Sequence, residues 1–511
     1  MTYLALASGT AVTRRPYTDE GELASPSYTL VHHGYMAVTL WEEHRDSHKA
    51  YWVPPAFLLA QAAWQAVIGF GVIQLRLAAV VWGMILLLSL RYIVTILTQD
   101  RMLALVIFGL LGLDYTFLMH AGIGRCEMMS CALAMAGIAL YLKLQARSTG
   151  TAILVSHAFM ACSALTHPVG AMVWFPGLAG LQLLMERRRF RWSLLLWFGI
   201  PYFVGALGWG LYILQDPAAF QFQFRSVSLV GGRLAGIQHP FLAMQKELAR
   251  FTGYYGIRPA ASLLVQLKMV LPLGYLLGLA AALLWPAVRT RRIVRYAVAL
   301  FAVQFLLLAL VEGSKQYHYI LHVIPTLVTI LAAVLWYSWR DSLVPRAMTA
   351  AVVVGLVVLQ IGPTMFRIRE NRYRSEFLPM VEAIRPYVQQ GADLVGMGEF
   401  GIPLAFPDNL VTDPAFAYGR AKRPDFVVVD TAVYTSNMAG FRVTKPHIYR
   451  YLADSFQSEF EPIFQQGDYV LYRRRAAGVT SYGGGPARRH RAHKLHDQRA
   501  APGHGARWLL V

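Results

Sequence analysis

The chain has 511 residues, of which 56% are hydrophobic and only 15% are charged. An ordinary soluble core cannot enclose that much apolar surface, so lipid must solvate most of it, and the formal net charge of +19 marks membrane-anchoring loops, not a nucleic-acid binder. The three cysteines, Cys126, Cys131 and Cys162, lie in or beside apolar runs without metal-ligand spacing, which points away from a disulfide framework and from a zinc site.

In chain order, residues 3–12 are apolar but cover only about half a span at ~1.5 Å per residue. Arg14, Arg15 and an acidic segment follow at once. We read this as the end of a first transmembrane helix whose beginning lies upstream of the present start. The next segment contains Tyr17-Thr18-Asp19-Glu20-Gly21, Ala24-Ser25-Pro26 and His33-Gly34-Tyr35-Met36, and closes on Tyr51-Trp52-Val53-Pro54-Pro55. Residues 54–71, led by Pro-Pro and carrying Gln61, Trp64 and Gln65, read as a helix lying in the membrane interface.

Ten apolar runs follow, at 75–97, 102–120, 127–144, 151–167, 169–185, 193–214, 262–286, 296–312, 319–338 and 346–366. Each is near the ~20 residues that cross ~30 Å of hydrocarbon. Apart from Asp114 and Lys268 we read these spans as nearly free of charge. The clusters Arg187, Arg188, Arg189 and Arg191, then Arg289, Arg291, Arg292 and Arg295, then Arg340 and Arg346 fall so that all can be cytoplasmic. The positive-inside rule then places residues 1–74, the turns near Gly122, Thr166 and Lys315, the loop 215–261 and everything after Arg367 on the outer side, with Asp100 and Arg101 in a solvated inner turn.

Residues 368–475 change character: 393–397, 426–430 and 468–472 read as short strands and 379–389 as an amphipathic helix, together a small extracytoplasmic α/β domain. Residues 476–511 are basic, rich in Gly, Ala and His, and aperiodic, the signature of a disordered tail. The expected plan is therefore 1–74 as a truncated first helix plus the first extracytoplasmic loop with its interfacial helix, 75–367 as a transmembrane bundle with the extracytoplasmic loop 215–261, 368–475 as the outer α/β domain and 476–511 as the tail.

The acidic pair Asp19-Glu20 followed by a Pro-Pro-led interfacial helix resembles the first extracytoplasmic loop of the GT-C superfamily, of the protein O-mannosyltransferase and lipid A aminoarabinose transferase type. Gly124-Arg125-Cys126-Glu127, Thr166-His167-Pro168-Val169-Gly170 and Lys315-Gln316-Tyr317-His318-Tyr319 match further, in order and on one face. The resemblance, spanning roughly residues 15–340, implies an α-helical polytopic bundle of about 10–11 transmembrane helices in a cell (inner or plasma) membrane. It also implies inverting transfer of a sugar from a polyprenyl-phosphate donor to a hydroxyl on a lipid, glycan or protein acceptor, with no cofactor or metal and no nucleic-acid partner.

An attacking hydroxyl must lose a proton, which a carboxylate within reach accepts. By resemblance Asp19 is that base, with Glu20 beside it. A departing lipid phosphate gains negative charge, so cationic donors must meet it. Arg125, His167, Lys315 and His318 are the candidates, with Glu127, Asp114 and Tyr317 lining the cavity.

Simpler structural roles compete at each position. Glu127 can favour a helix N-terminus, His167 can cap a helix end, Asp114 can pair with Arg125 or His120, and Lys315 and Tyr317 can anchor at the headgroups. Glu42, Glu43, His44 and His48 have ligand types but read as surface groups. The aromatic, basic loop 215–261, with Phe220, Phe222, Phe224, Arg225, Arg233, Tyr254 and Tyr255, is a candidate lid. The alternatives from other classes are a transporter or flippase of a lipid-linked substrate, which internal repeats and charges at the midplane would betray, and a non-catalytic scaffold.

Overall fold

The computed structural model describes residues 1–42, 47–186, 192–226, 235–254, 267–420 and 422–476. Glu43, His44, Arg187 to Arg191, Arg233, Tyr255 and the tail from residue 477 lie outside the described residues.

The first nine helices are α1 Thr2–Thr13, α2 Thr18–His33, α3 Pro55–Ile68, α4 Val72–Thr98, α5 Arg101–Leu113, α6 Tyr115–Ala121, α7 Cys126–Leu144, α8 Thr149–Thr166 and α9 Pro168–Glu186. Among the described residues seven helices are long and apolar enough to cross a membrane: α4, α7, α8, α9, Ser193–Ile213, Arg292–Val311 and Arg346–Gln389. The chain is thus a multi-pass membrane protein.

The run expected as one span at 102–120 is instead α5 and α6, bent by 63°. The break is at Asp114, whose Oδ1 accepts from Phe117 N at 2.9 Å and so starts a new helix. Val270–Leu284 and Ile324–Arg340 have 15 and 17 residues, shorter than the seven, and 3₁₀ turns at Leu267–Met269 and Tyr317–His322 lead into them. α3, with 14 residues, reaches only about 21 Å. Its Gln61 and Gln65 do not face water: both are buried and bond Ser27 of α2 at 2.6 and 2.8 Å.

α4 gives the bundle two distinguishable ends, because its 27 residues rise about 40 Å. Past its C-terminus Asp100 caps α5 and meets Trp336 Nε1 at 2.9 Å and Arg340 at 3.4 Å, while Arg291 pairs with Asp341. The turns bearing Arg291 and Arg340 thus converge at this end. At its N-terminus sit the acidic segment of α2, the start of α7 and the carboxy-terminal domain.

That domain is a five-stranded mixed sheet of β1 Leu394–Gly396, β2 Leu410–Thr412, β3 Phe426–Asp430, β4 Phe460–Gln466 and β5 Tyr469–Arg474, in the order β2-β1-β3-β5-β4. β1 runs parallel to β2 and β3, and β5 antiparallel to β3 and β4. The helix Leu378–Gln389 covers one face and the helices of 431–459 the other, so β3 is buried along its whole length. The first of these cores is continuous with Ala24 of α2 and with Val72 and Leu75 of α4, and this continuity fixes the sheet to the site end of the bundle.

Candidate functional site

The site is built on the N-terminus of α4. Arg76 is fully buried one turn into that helix, where an ionisable group needs partners. Its Nε and Nη2 each donate to Glu20 at 2.7 Å, and its remaining donors reach the carbonyls of Ala11 at 2.9 Å, Arg14 at 2.7 Å and Arg15 at 3.2 Å. Glu20 also accepts from Gly124 N at 2.8 Å and Tyr17 N at 2.9 Å. One carboxylate thereby ties the end of α1, the first turn of α2, the start of α4 and the turn before α7. Burial pushes its pKa up, but the Arg76 charge and these hydrogen bonds outweigh that and hold it below the ordinary range.

Fixing Glu20 inward turns its neighbour Asp19 the other way. The Asp19 side chain is 21% exposed, against 2% for Glu20, so of the pair it is Asp19 that an incoming molecule can reach. Its carboxylate pairs with Arg125, the residue just before α7. Arg125 is buried and also grips Glu127 at 2.6, 3.1 and 3.2 Å, while its guanidinium lies 5.7 Å from the centre of the Tyr17 ring.

His318 and His167 flank this cluster. The His318 ring lies 5.1 Å from Tyr17 and 5.8 Å from His120. His167 ends α8 and starts α9: its Nδ1 accepts from Gly170 N at 3.2 Å, and its ring sits 4.7 Å from Tyr319 and 5.3 Å from His322. A neutral ring that accepts at Nδ1 carries its proton on Nε2, so His167 is a donor there. The helix Pro240–Tyr254 closes one side, with Tyr254 6.1 Å from His120.

The structure does not bring every candidate together. Asp114 meets neither Arg125 nor His120. Tyr275 OH donates to its Oδ2, Gln360 Nε2 donates to the same oxygen at 3.1 Å, and the residue braces three helices. Lys315 sits apart from Arg125. Its Nζ donates to the carbonyls of Leu308 and Ala309 at 3.0 and 2.7 Å and pairs with Glu247 at 3.2 Å, beside the buried Arg250 and Glu312. Tyr317 packs against Gly253 and Tyr254 of the same loop helix, not against Arg125.

The loop expected as a lid is pinned at both described parts. Gln223 receives Tyr51 N at 2.6 Å and Trp52 N at 3.1 Å, and Arg250 meets Glu312 at 3.2 Å. Of the suggested surface ligands, Glu42 pairs with Arg420 at 3.0 Å and His48 packs on Tyr35. Among the described residues Cys126, Glu127 and His167 place ligand-type atoms within 4.8 Å of one another. Glu127 is already held by Arg125, and His167 Nδ1 accepts from Gly170 N, so two of these three ligand atoms are engaged within the protein.

Arg76, Glu399 and the Glu247–Arg250–Glu312 group went unread in the sequence. Arg76 had a signal: a lone charge in the first turn of a long apolar run must find a partner. It also corrects the reading of the spans as almost free of charge.

A polytopic helical bundle with a mixed-sheet domain at the site end defines the architecture, and solved structures share it. The crystal structure of ArnT from Cupriavidus metallidurans bound to undecaprenyl phosphate aligns at a TM-score of 0.57 and 14% identity, over 93% of this chain and 97% of that one. ArnT from the same organism in the apo state aligns at 0.52 and 16% identity, over 92% and 96%. The oligosaccharyltransferase of Archaeoglobus fulgidus aligns at 0.47 and 10% identity, over 91% and 72%. This chain thus has the ArnT fold over more than nine-tenths of its length. No protein-family model matches the sequence, and no curated protein matches it.

Proposed function

We propose that the protein is a membrane glycosyltransferase that moves a sugar from a polyprenyl-phosphate donor to a hydroxyl acceptor at the extracytoplasmic face. The observation that carries the reading is the accessible carboxylate of Asp19 held against the buried Arg125, with His167 and His318 beside it, at the end of the bundle opposite the turns of Arg291 and Arg340. ArnT, whose fold this chain shares, has been solved with undecaprenyl phosphate bound. The positive-inside rule makes the Arg-bearing end cytoplasmic and the site end extracytoplasmic.

In this reading the donor phosphate meets Arg125, His167 and His318. Because Arg125 already holds Asp19, an arriving phosphate competes for the guanidinium and frees the carboxylate. Asp19 then takes the proton of the acceptor hydroxyl as its oxygen bonds to the anomeric carbon. The bond from that carbon to the phosphate oxygen breaks, and the polyprenyl phosphate leaves with the electron pair, which inverts the anomeric centre. Glu20 positions Asp19 and touches no substrate. Lys315 and Tyr317 hold the loop helix, and Asp114 supports the bundle.

The reading is tested by incubating purified protein in vesicles with radiolabelled polyprenyl-phosphate sugars and a membrane extract. Label appearing on an acceptor supports transfer. Label that crosses the bilayer still attached to its carrier supports the transporter reading instead.

A further inference from the structure

The junction between α2 and the α/β domain holds a half-buried acid, Glu22, and a buried one, Glu399, that the proposed reaction does not use. Two glycines let the backbones touch: a Cβ on Gly21 would lie 1.8 Å from Gly398 O, and one on Gly398 would lie 2.6 Å from Thr18 O and 3.1 Å from Glu22 Cγ. Across this contact Thr18 Oγ1 donates to Glu399 Oε2 at 2.9 Å, and Tyr469 OH donates to Glu399 Oε1 at 2.8 Å. Thr18 is the residue next to Asp19. Glu22, one turn along α2, accepts from Trp41 Nε1 at 3.1 Å and lies against Gly398, the chain neighbour of Glu399.

We propose that Glu399 is a positioning residue for Asp19: the α/β domain holds the first turn of α2 through Thr18, and the acids Glu22 and Glu399, packed at the glycine contact, set how firmly. The inference rests on Asp19 being the base. It gives the carboxy-terminal domain a role in the reaction at the bundle.

The charged neighbours of the pair come from every side. Arg15 and Asp430 act on Glu399, and Asp468, Arg372 and Glu376 surround Arg15. Tyr17 stands between the pair and the site, within the field of Glu22 and Glu399 as well as of Arg125 and Glu127. Burial pushes the Glu399 carboxyl up to about 7, helped by the Asp430 charge. Burial also pushes Glu22 up to about 7; the Trp41 hydrogen bond opposes this and the Glu399 charge adds to it.

For an acid whose folded value lies above its ordinary 4.5, the contribution to the contact is complete below 4.5 and is lost as pH rises towards 7. Above that, the Glu22 and Glu399 carboxylates repel across the glycine contact. The grip on the first turn of α2 therefore weakens on the alkaline side.

Hydrogen exchange of the purified full chain tests this in peptides covering residues 17–24, corrected for the intrinsic rate, at about pH 6 and about pH 8.5. In the wild type, exchange should rise about tenfold between the two. Glu399→Gln, neutral and still able to accept, should stay slow at both; Glu22→Gln should blunt the rise. Wild-type exchange that does not change, or an unaltered rise in Glu399→Gln, overturns the inference while leaving Asp19 as base untouched. In parallel, kcat for labelled-sugar transfer should fall about 10- to 100-fold over the same interval in the wild type. In Glu399→Gln it should fall much less, with KM for the donor within about twofold. A switch in exchange without that difference in kcat overturns the positioning role and leaves the base to be judged by Asp19→Asn alone.

Discussion

Glutamine in place of Glu20 tests the division of labour within the acidic pair. The wild-type carboxylate receives two Arg76 donors at 2.7 Å, Gly124 N at 2.8 Å and Tyr17 N at 2.9 Å. Glutamine leaves one oxygen for these donors and turns an amide N–H₂ towards Arg76, which stays fully buried without a counter-charge. Breaking a buried pair from one side costs about 3–5 kcal/mol. Asp19→Asn, in contrast, loosens a partly exposed pair whose arginine keeps Glu127, a cost of about 1 kcal/mol or less. The thermal unfolding midpoint in detergent should therefore drop clearly for Glu20→Gln and barely for Asp19→Asn. The depressed Glu20 carboxyl also makes a pH prediction: its stabilisation is complete above the ordinary value of 4.5 and is lost as pH falls through the lower folded value. Glu20→Gln should lack that acid-side loss. A Glu20→Gln protein that unfolds like the wild type but transfers no sugar would refute the anchor argument and put Glu20 on the substrate.

Two further substitutions probe the frame. Gly21→Ala places a methyl 1.8 Å from Gly398 O, where only backbone movement can relieve it. It should destabilise the α2 contact by about 1–3 kcal/mol, visible as faster proteolysis between the domain and the bundle; Gly34→Ala, at the far end of α2, meets no atom within 4 Å but sits at φ +78°, so its cost is backbone strain and leaves this contact intact. Lys315→Met removes the counter-charge of Glu247 but nothing at Arg125. It should lower the unfolding midpoint and leave KM for the donor within about threefold; a loss of donor affinity of tenfold or more would return Lys315 to the phosphate site.

The bundle was legible because uninterrupted apolar runs need no periodicity to be seen, and β3 was read to the residue because all five of its positions are buried. β2 went unread because it has only three residues, and β4 because Pro462 and its outward Gln465 and Gln466 obscure any alternation. Asp114 shows a different limit. A capping residue inside an apolar run looks like a buried charge until Phe117 N is seen bonded to it. Within the site, Asp19, Arg125, His167 and His318 came from local patterns and do converge. Lys315 lay in the same pattern but was captured by Glu247, over 60 positions away in the chain, and nothing local announces such a partner. Glu399 had no sequence signal at all, since its importance arises from touching Thr18 across 381 positions.

The central claim is that Asp19 removes the proton of an acceptor at a site where Arg125 meets the donor phosphate. Single-turnover transfer by Asp19→Asn, measured with saturating radiolabelled polyprenyl-phosphate sugar in reconstituted vesicles, tests it most directly. The account predicts a fall in the chemical step of about 10²–10⁴-fold with membrane insertion and donor binding retained. Transfer at the wild-type rate would contradict it.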